Sequence, residues 1–453
     1  MTKSLKVLQT LLFAFVILSL AACGAQPVDS TVEPAMPVDA TEAPAATEAP
    51  AAEQVNLTLG SWRTDDAEAW AEILAAFSAN YPNITVKFDP TNPPDYNATL
   101  RTQLETGTAP DLFFVRSFAT GQDLFEQGFV ASLKDLPGLS DSISAAANAP
   151  WASESGEPFA VPIAAVSHGI YYNQDLFEAN GIAVPTTWEE LLAAAQTLQD
   201  AGVTPFANGT KDEWDINEVV LMSLIPNNIG GLDGRTAYLS GQTCFNNEEI
   251  VASFQQVQDL TPYLPNGFTA TGYSDSTQLF TLGEAAMLFD GSWQISAIEK
   301  EAPSFNWSVF AVPPPAGKDQ YVSFHVDAAI GMNPASENQE AARTFLQWLE
   351  TKEFNDAFAN NVPGFFPMSK AATTINDPVA ATFLSFNSEA SGTDIRFPWE
   401  KLMDAPSGQE SAYTVMNAGA IAVLKGDKTP QQAADDLQTA LAQWYEPAQG
   451  CQN

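Results

Sequence analysis

The residues best equipped for chemistry are scarce in this chain, and their spacing narrows what they could do. His168 and His325 are the two histidines among 453 residues, and Cys23, Cys244 and Cys451 are the three cysteines. They share no short metal-ligand spacing, so a zinc centre of the usual kind is excluded. No HExxH helix, phosphate-binding loop, GxSxG elbow or dinucleotide fingerprint occurs in the sequence either. No metal and no cofactor are therefore expected. Carboxylates, by contrast, are plentiful: 55 acidic against 18 basic residues give a formal net charge of −37. A pair of carboxylates can hydrolyse a glycosidic bond. Carboxylates beside tryptophan can instead hold a sugar without reacting, with the indole against C–H faces and the oxygens accepting from hydroxyls. A cationic solute such as a polyamine would also suit this acidity. A phosphate backbone would be repelled, so nucleic acid is not expected as a partner.

Such groups need a scaffold, and the patterning indicates α/β lobes. The segment VNLTLGSW from Val55 alternates like a strand, and 63–66 is a polar loop. Trp70, Ile73, Leu74 and Phe77 then recur at helical spacing. ITVKFDP reads as a second strand and DLFFV, from Asp111, as a third. Open parallel sheets leave crevices at the carboxyl ends of their strands. That rule nominates Trp62, Arg63, Asp65 and Asp66 after the first strand, and Arg116 and Ser117 after the third. Residues 159–172 form an apolar run that suits a strand buried on both faces. Thr187 then caps a helix with Glu190 placed for a capping box, and Gly202 ends it. Residues 337–358 read as one long helix. Thr429, Pro430 and Gln432 open the last helix, with Ala433, Leu437, Leu441 and Trp444 on its buried face.

One stretch carries more than a pattern. In 158–198, Val161, Pro162, Tyr172, Asn173, Leu176, Phe177, Gly181, Pro185, Thr187, Trp188 and Leu191 stand in register with a signature segment. It resembles that of the family 1 extracellular solute-binding proteins, the maltose-binding-like subunits of ABC sugar importers. A second stretch, 277–293, resembles the same family through Gly283, Ala286, Met287, Gly291 and Trp293. The resemblance implies a two-lobed, type II periplasmic-binding-protein fold, α/β throughout. In it, 159–172 and 322–332 cross between the lobes and one solute sits in the cleft. The lobes would be 55–164 with 322–371, and 165–321 with 372–453. It adds Ser167, Tyr171, Trp214, Asp290, Trp293 and Phe365 to the candidate ligand-binding residues. Trp62, Trp214 and Trp293 would stack on the sugar, Asp65, Asp66 and Asp290 would accept from hydroxyls, and Arg63 and Arg116 would donate. Tyr171-Tyr172, which could otherwise suggest an iron site, then reads as one buried tyrosine and one facing the cleft. The expected solute is a sugar or short oligosaccharide and the expected partners are permease subunits. The protein would be a monomeric binding protein and not an enzyme. A binding protein for a polyamine and a secreted glycan-degrading enzyme stand as the alternatives.

The termini complete the expectation. Lys3 and Lys6 precede the apolar run 7–20, which is short for a membrane span. Leu20-Ala21-Ala22-Cys23 resembles a bacterial lipobox, which implies loss of 1–22 as a signal peptide and lipid attachment at Cys23. The membrane would be reached through that lipid alone, outside the cytoplasm. Residues 23–54 read as a disordered Ala/Pro/Thr/Glu stalk. Cys244 and Cys451 could pair in an oxidising compartment or remain two thiols. His168 and His325 fall on the expected crossing strands, where they could tune closure between about pH 5 and 8.

Overall fold

The computed structural model describes residues 53–212, 214–396, 402–403 and 405–451. The expected signal peptide, Cys23 and nearly all of the stalk lie outside the described residues.

Three strands open the fold. Strands β1 (Val55–Ser61), β2 (Ile84–Pro90) and β3 (Leu112–Val115) are parallel, with β1 in the middle. The helix between the first two, Ala67–Asn80, buries Trp70, Ile73, Leu74 and Phe77, the face its spacing predicts. Trp70 stacks on Phe88 at 5.2 Å. Next in the chain come β4 (Ala160–Asn173), β5 (Thr204–Phe206), β6 (Ala285–Gly291), β7 (Trp307–Phe310) and β8 (Tyr321–Met332). The short β9 (Phe366–Pro367) and β10 (Gly392–Asp394) follow.

Two long strands tie the halves together. The main strand order is β2-β1-β3-β8-β4-β6-β5. Strand β8 pairs antiparallel with β3 from Leu112↔Met332, and with β4 from Ala160↔Gly331 to Ser167↔Phe324. Beyond Ser167, β4 exchanges partners. From His168↔Gly291 to Tyr172↔Met287 it pairs with β6, and β7 takes its other edge. One half of β4 thus belongs to the sheet of β1–β3 and the other to the sheet of β5–β7. This produces two lobes around shared strands. All fourteen residues of β4 are buried, which explains a continuous apolar run rather than an alternating one. The pairing shifts register around Ala164, just after Pro162, which has no N–H to give the ladder. Strand β9 lies against β4 at the same place, Ala164 and Ala165.

Local chemistry refines several expectations. Segment 337–358 is two helices, Gln339–Trp348 and Lys352–Asn361. The break falls at Thr351, whose Oγ1 accepts from the Phe354 N–H and so restarts the helix with its own cap. Thr187 caps the helix Trp188–Asp200 as expected, but Glu190 reaches back to the N–H of Thr186 rather than Thr187. The capping box of Thr429 and Gln432 is complete. Trp444 is only half-buried and donates to the Glu410 carbonyl. A disulfide joins Cys244 to Cys451, with Cα atoms 5.1 Å apart and a sequence separation of 207.

Candidate functional site

Strand β1 ends at the loop that begins the site. Trp62 is buried, edge-on to Tyr96 at 5.5 Å and Phe114 at 5.2 Å. The Arg116 guanidinium, from the end of β3, lies 3.7 Å over its ring. The indole face expected to receive a sugar is therefore covered by a cation–π partner. Sequence spacing misses this because the cover comes from a different strand. Burial lowers the Arg116 pKa, and the charges of Asp327 and Glu218 act against that. Ser117 sits beside it, with its hydroxyl buried and no hydrogen-bond partner among the described residues. The following Phe118 has φ 55°, a strained value for a bulky residue, and leads into the helix Ala119–Glu126.

Arg63 crosses to the other lobe. Its guanidinium holds both oxygens of Asp66, at 2.5 and 3.1 Å, and donates to the Trp293 carbonyl at 3.3 Å. It also lies 4.9 Å over the ring of Phe365. Burial works against this cation, but the charge and hydrogen bonds of Asp66 outweigh it and keep Arg63 charged. Both oxygens of Asp66 are thus engaged by Arg63, which weighs against its expected role as an acceptor for the solute. Asp65 points to solvent.

The second lobe contributes the end of β6. A Cβ on Gly291 would fall 1.9 Å from the Trp293 ring, so the absence of a side chain is what lets that indole fold back. Trp293 is buried, and its Nε1 donates to the Tyr273 hydroxyl at 2.8 Å. That hydroxyl donates in turn to Gln294 Oε1 at 2.6 Å. Tyr273 also packs 4.5 Å from Trp214. Ser292 fixes the loop from behind: its hydroxyl donates to the Gly364 carbonyl and accepts from the Ser167 N–H. Gly364 has φ 90°, and a Cβ there would fall 1.9 Å from the Ser292 carbonyl oxygen. Phe365, the next residue, is thereby held under Arg63. Phe365, Arg63, Trp293, Tyr273 and Trp214 form one continuous chain of contacts that draws on both lobes.

A charged arm extends from the same centre. His168 stands edge-on to Trp293 and to His325, 5.2 Å from each. His325 Nε2 lies 3.8 Å from Asp327, and Arg396 lies 3.9 Å from Asp327 while pairing with Glu218. Burial and then Arg396 drive His325 down to about 4. Burial and His325 push His168 well below its usual value. Both histidines occupy the crossing strands as expected, and burial there holds each below the usual imidazole range, which weighs against the expected switch. Asp327 falls to about 2: burial opposes its charge, but the His325 hydrogen bond and the nearby cations prevail.

Four further residues need placing. Tyr171 is fully buried against Phe383 at 5.4 Å and Phe280 at 6.3 Å, and its hydroxyl donates to the Gly291 carbonyl. It packs into the second lobe's core. Ser167 is buried with its hydroxyl unpartnered among the described residues. Asp290, also buried, leaves one oxygen unpartnered among the described residues. Tyr273, which links Trp293 to Trp214, was not foreseen; its one signal is a position just after Gly272 at a helix start. Among the described residues, no three His, Cys, Asp or Glu side chains cluster in a way that could hold a metal ion. What the centre offers is aromatic surface, hydroxyls and charged groups supplied from two sides.

Comparison with known proteins identifies the family. Residues 60–355, well over half of the chain, match the family described as bacterial extracellular solute-binding protein. A binding protein of Brucella abortus is 26% identical over 385 residues, which is 82% of this chain and 91% of the relative. The multiple sugar-binding protein of Streptococcus mutans is 24% identical over 290 residues, 62% of this chain and 67% of the relative. Among solved structures, a chitin oligosaccharide binding protein superposes with a TM-score of 0.72 at 23% identity, covering 86% of this chain and 99% of its own. At that identity the likeness establishes the fold. The family match establishes the membership: this chain is a bacterial extracellular solute-binding protein.

Proposed function

We propose that the protein is the lipid-anchored, extracytoplasmic solute-binding subunit of an ABC importer. It captures a sugar or short oligosaccharide between its lobes and delivers it to the membrane permease. The observation that carries this reading is the contact chain through Trp293, which takes Arg63 and Phe365 from one side and Tyr273 and Trp214 from the other. A solute held there touches both lobes. It binds the closed arrangement better than the open one and shifts the population toward closure. The lobes are 55–164 with 322–371 and 165–321 with 372–453. The partner exchange of β4 at 167/168 supports a boundary close to 164/165. The sugar assignment draws support from the names of the Streptococcus mutans relative and the chitin oligosaccharide neighbour, and from the aromatic surface of Trp214, Tyr273 and Trp293. Solute contacts come from those residues together with Arg63, Arg116, Ser117, Ser167 and Asp290, while Asp65 meets only an extended solute. Trp62 becomes a platform when Arg116 swings away from it. The protein acts as a monomer and releases its solute unchanged. Cys23 carries the lipid after loss of 1–22, and 23–54 is the tether.

A thermal-shift screen tests this. A ligand that binds only the native state raises the unfolding midpoint. Neutral mono- and oligosaccharides should raise it, with little response to added salt. A rise with spermidine alone, weakened by salt, would replace the sugar with a cation. Silence across the plate would leave the solute class unsupported.

A further inference from the structure

Asp290 is the least satisfied acid of the site. Its side chain is fully buried. Oδ1 accepts from the Gly291 N–H at 2.7 Å and faces the Tyr273 hydroxyl at 3.5 Å. Oδ2 is buried and has no hydrogen-bond partner among the described residues. A second buried acid, Asp215, stands at the start of the π-helix Asp215–Leu221. Its side-chain partners are distant, Asn208 at 3.3 Å and Ser276 at 3.5 Å. Asn208 also clamps the Phe289 backbone in both directions, which fixes Asp290 relative to Asp215.

The groups that face Asp290 decide its charge. Asp215 approaches from the π-helix, with Asp212 behind it. Tyr273 comes from the helix Tyr273–Thr281, and Tyr171 from β4. His168 stands on β4 opposite Gly291 and is held neutral by burial. Arg63 approaches from the other lobe, but Asp66 already grips it with two contacts. Two neighbouring desolvated carboxylates cannot both ionise cheaply when the one cation near Asp290 is already committed to Asp66.

We propose that Asp215 and Asp290 keep one proton between them at neutral pH, and that Asp290 meets the solute as a hydrogen-bond donor, a carboxylic acid rather than a carboxylate. The inference rests on the cleft being the solute site. Burial pushes Asp215 up to about 7, and burial reinforced by Asp215 pushes Asp290 well above the usual carboxylate range. The consequence is a selection rule. The solute group at this corner is neutral and accepts a hydrogen bond, as a hydroxyl or ether oxygen does. An ammonium group would drive the proton off and bind better as pH rises.

The protonation is tested without any solute. Infrared spectra of the full chain at pH 7 should contain a protonated carboxyl band, read as the wild-type minus Asp290→Asn difference because Glu299, raised to about 7 by burial and Asp377, contributes to both. The band should survive in the wild type at pH values where ordinary carboxylates have ionised, and fade only as pH is raised further. Its absence from the wild type, or its persistence unchanged in Asp290→Asn, overturns the proposal. A second arm uses raffinose, maltotriose, chitotriose and spermidine as probes. A sugar that binds the wild type should bind Asp290→Asn within a few-fold, since the amide still donates, and lose about tenfold or more in Asp290→Leu. Its affinity should fall as pH rises for the wild type and stay flat for Asp290→Asn. Spermidine binding that tightens with pH overturns the donor role. Should none of the sugars bind while the band behaves as stated, the proton pair stands and the sugar reading falls.

Discussion

Removing Asp66 separates a structural role from a ligand-binding one. Asp66 is buried, and the side chain of its partner Arg63 is 11% exposed. Asp66→Ala leaves a nearly buried guanidinium without its bidentate partner. Breaking a buried pair from one side costs about 3–5 kcal/mol. Arg63 keeps its contact with the Trp293 carbonyl and the ring of Phe365, so the lower end applies, about 3 kcal/mol. Strands β4 and β8 belong to both lobes, so the loss should appear as a shift of one cooperative transition in urea. The double variant Asp66→Ala/Arg63→Met removes both charges and should recover at least about half of the loss, since an apolar replacement for a buried pair is often nearly neutral. Sugar affinity should fall only as far as the shifted loop requires, about threefold. If Asp66→Ala leaves the urea transition unchanged and abolishes sugar binding, Asp66 is a solute acceptor and the reasoning fails.

Other outcomes follow from the same geometry. Gly291→Ala should expel the Trp293 ring, because the new Cβ lies 1.9 Å from it; a red-shifted tryptophan emission and a stability loss of about 1–3 kcal/mol are expected, and unchanged emission would refute the fit. Reducing the Cys244–Cys451 bridge should lower stability by up to about 5 kcal/mol, the loop-entropy value for 207 residues, measured as a drop in unfolding midpoint with reductant. The two histidines are held neutral in the fold, so the unfolded chain binds more protons below its ordinary histidine pKa. Their contribution is complete above about pH 6.5 and is lost as pH falls toward about 4, worth about 3 kcal/mol for His325. His325→Gln should flatten that part of a urea-midpoint profile against pH, and an unaltered slope would contradict the assignment.

The parts of the fold legible in the sequence are those set by short-range rules. The buried run of β4, the apolar face of Ala67–Asn80 and the capping box at Thr429 need only their own residues. The site was harder because its partners come from distant positions. Nothing near Trp62 announces that Arg116 will cover it; Arg63 stands only three residues before Asp66, yet that spacing alone does not say whether the acid takes the guanidinium or a solute. Trp293 was legible through its Gly-Ser-Trp turn, but Tyr273, twenty residues earlier, reaches it only through the fold. The break at Thr351 shows the reverse case. A local cap was present in the sequence, yet the apolar spacing ran straight across it. A strand buried on both faces, as β4 is, also gives no polar residue from which the facing of Tyr171 could be read.

The most direct measurement is calorimetric titration of the neutral sugar that raises the unfolding midpoint, for wild type and Trp293→Ala, with the solute recovered and analysed afterwards. The account predicts one saturable site in the wild type, loss of binding in Trp293→Ala by about 2 kcal/mol or more, and a solute returned intact. Equal binding by Trp293→Ala, or a sugar recovered as smaller products, would contradict it.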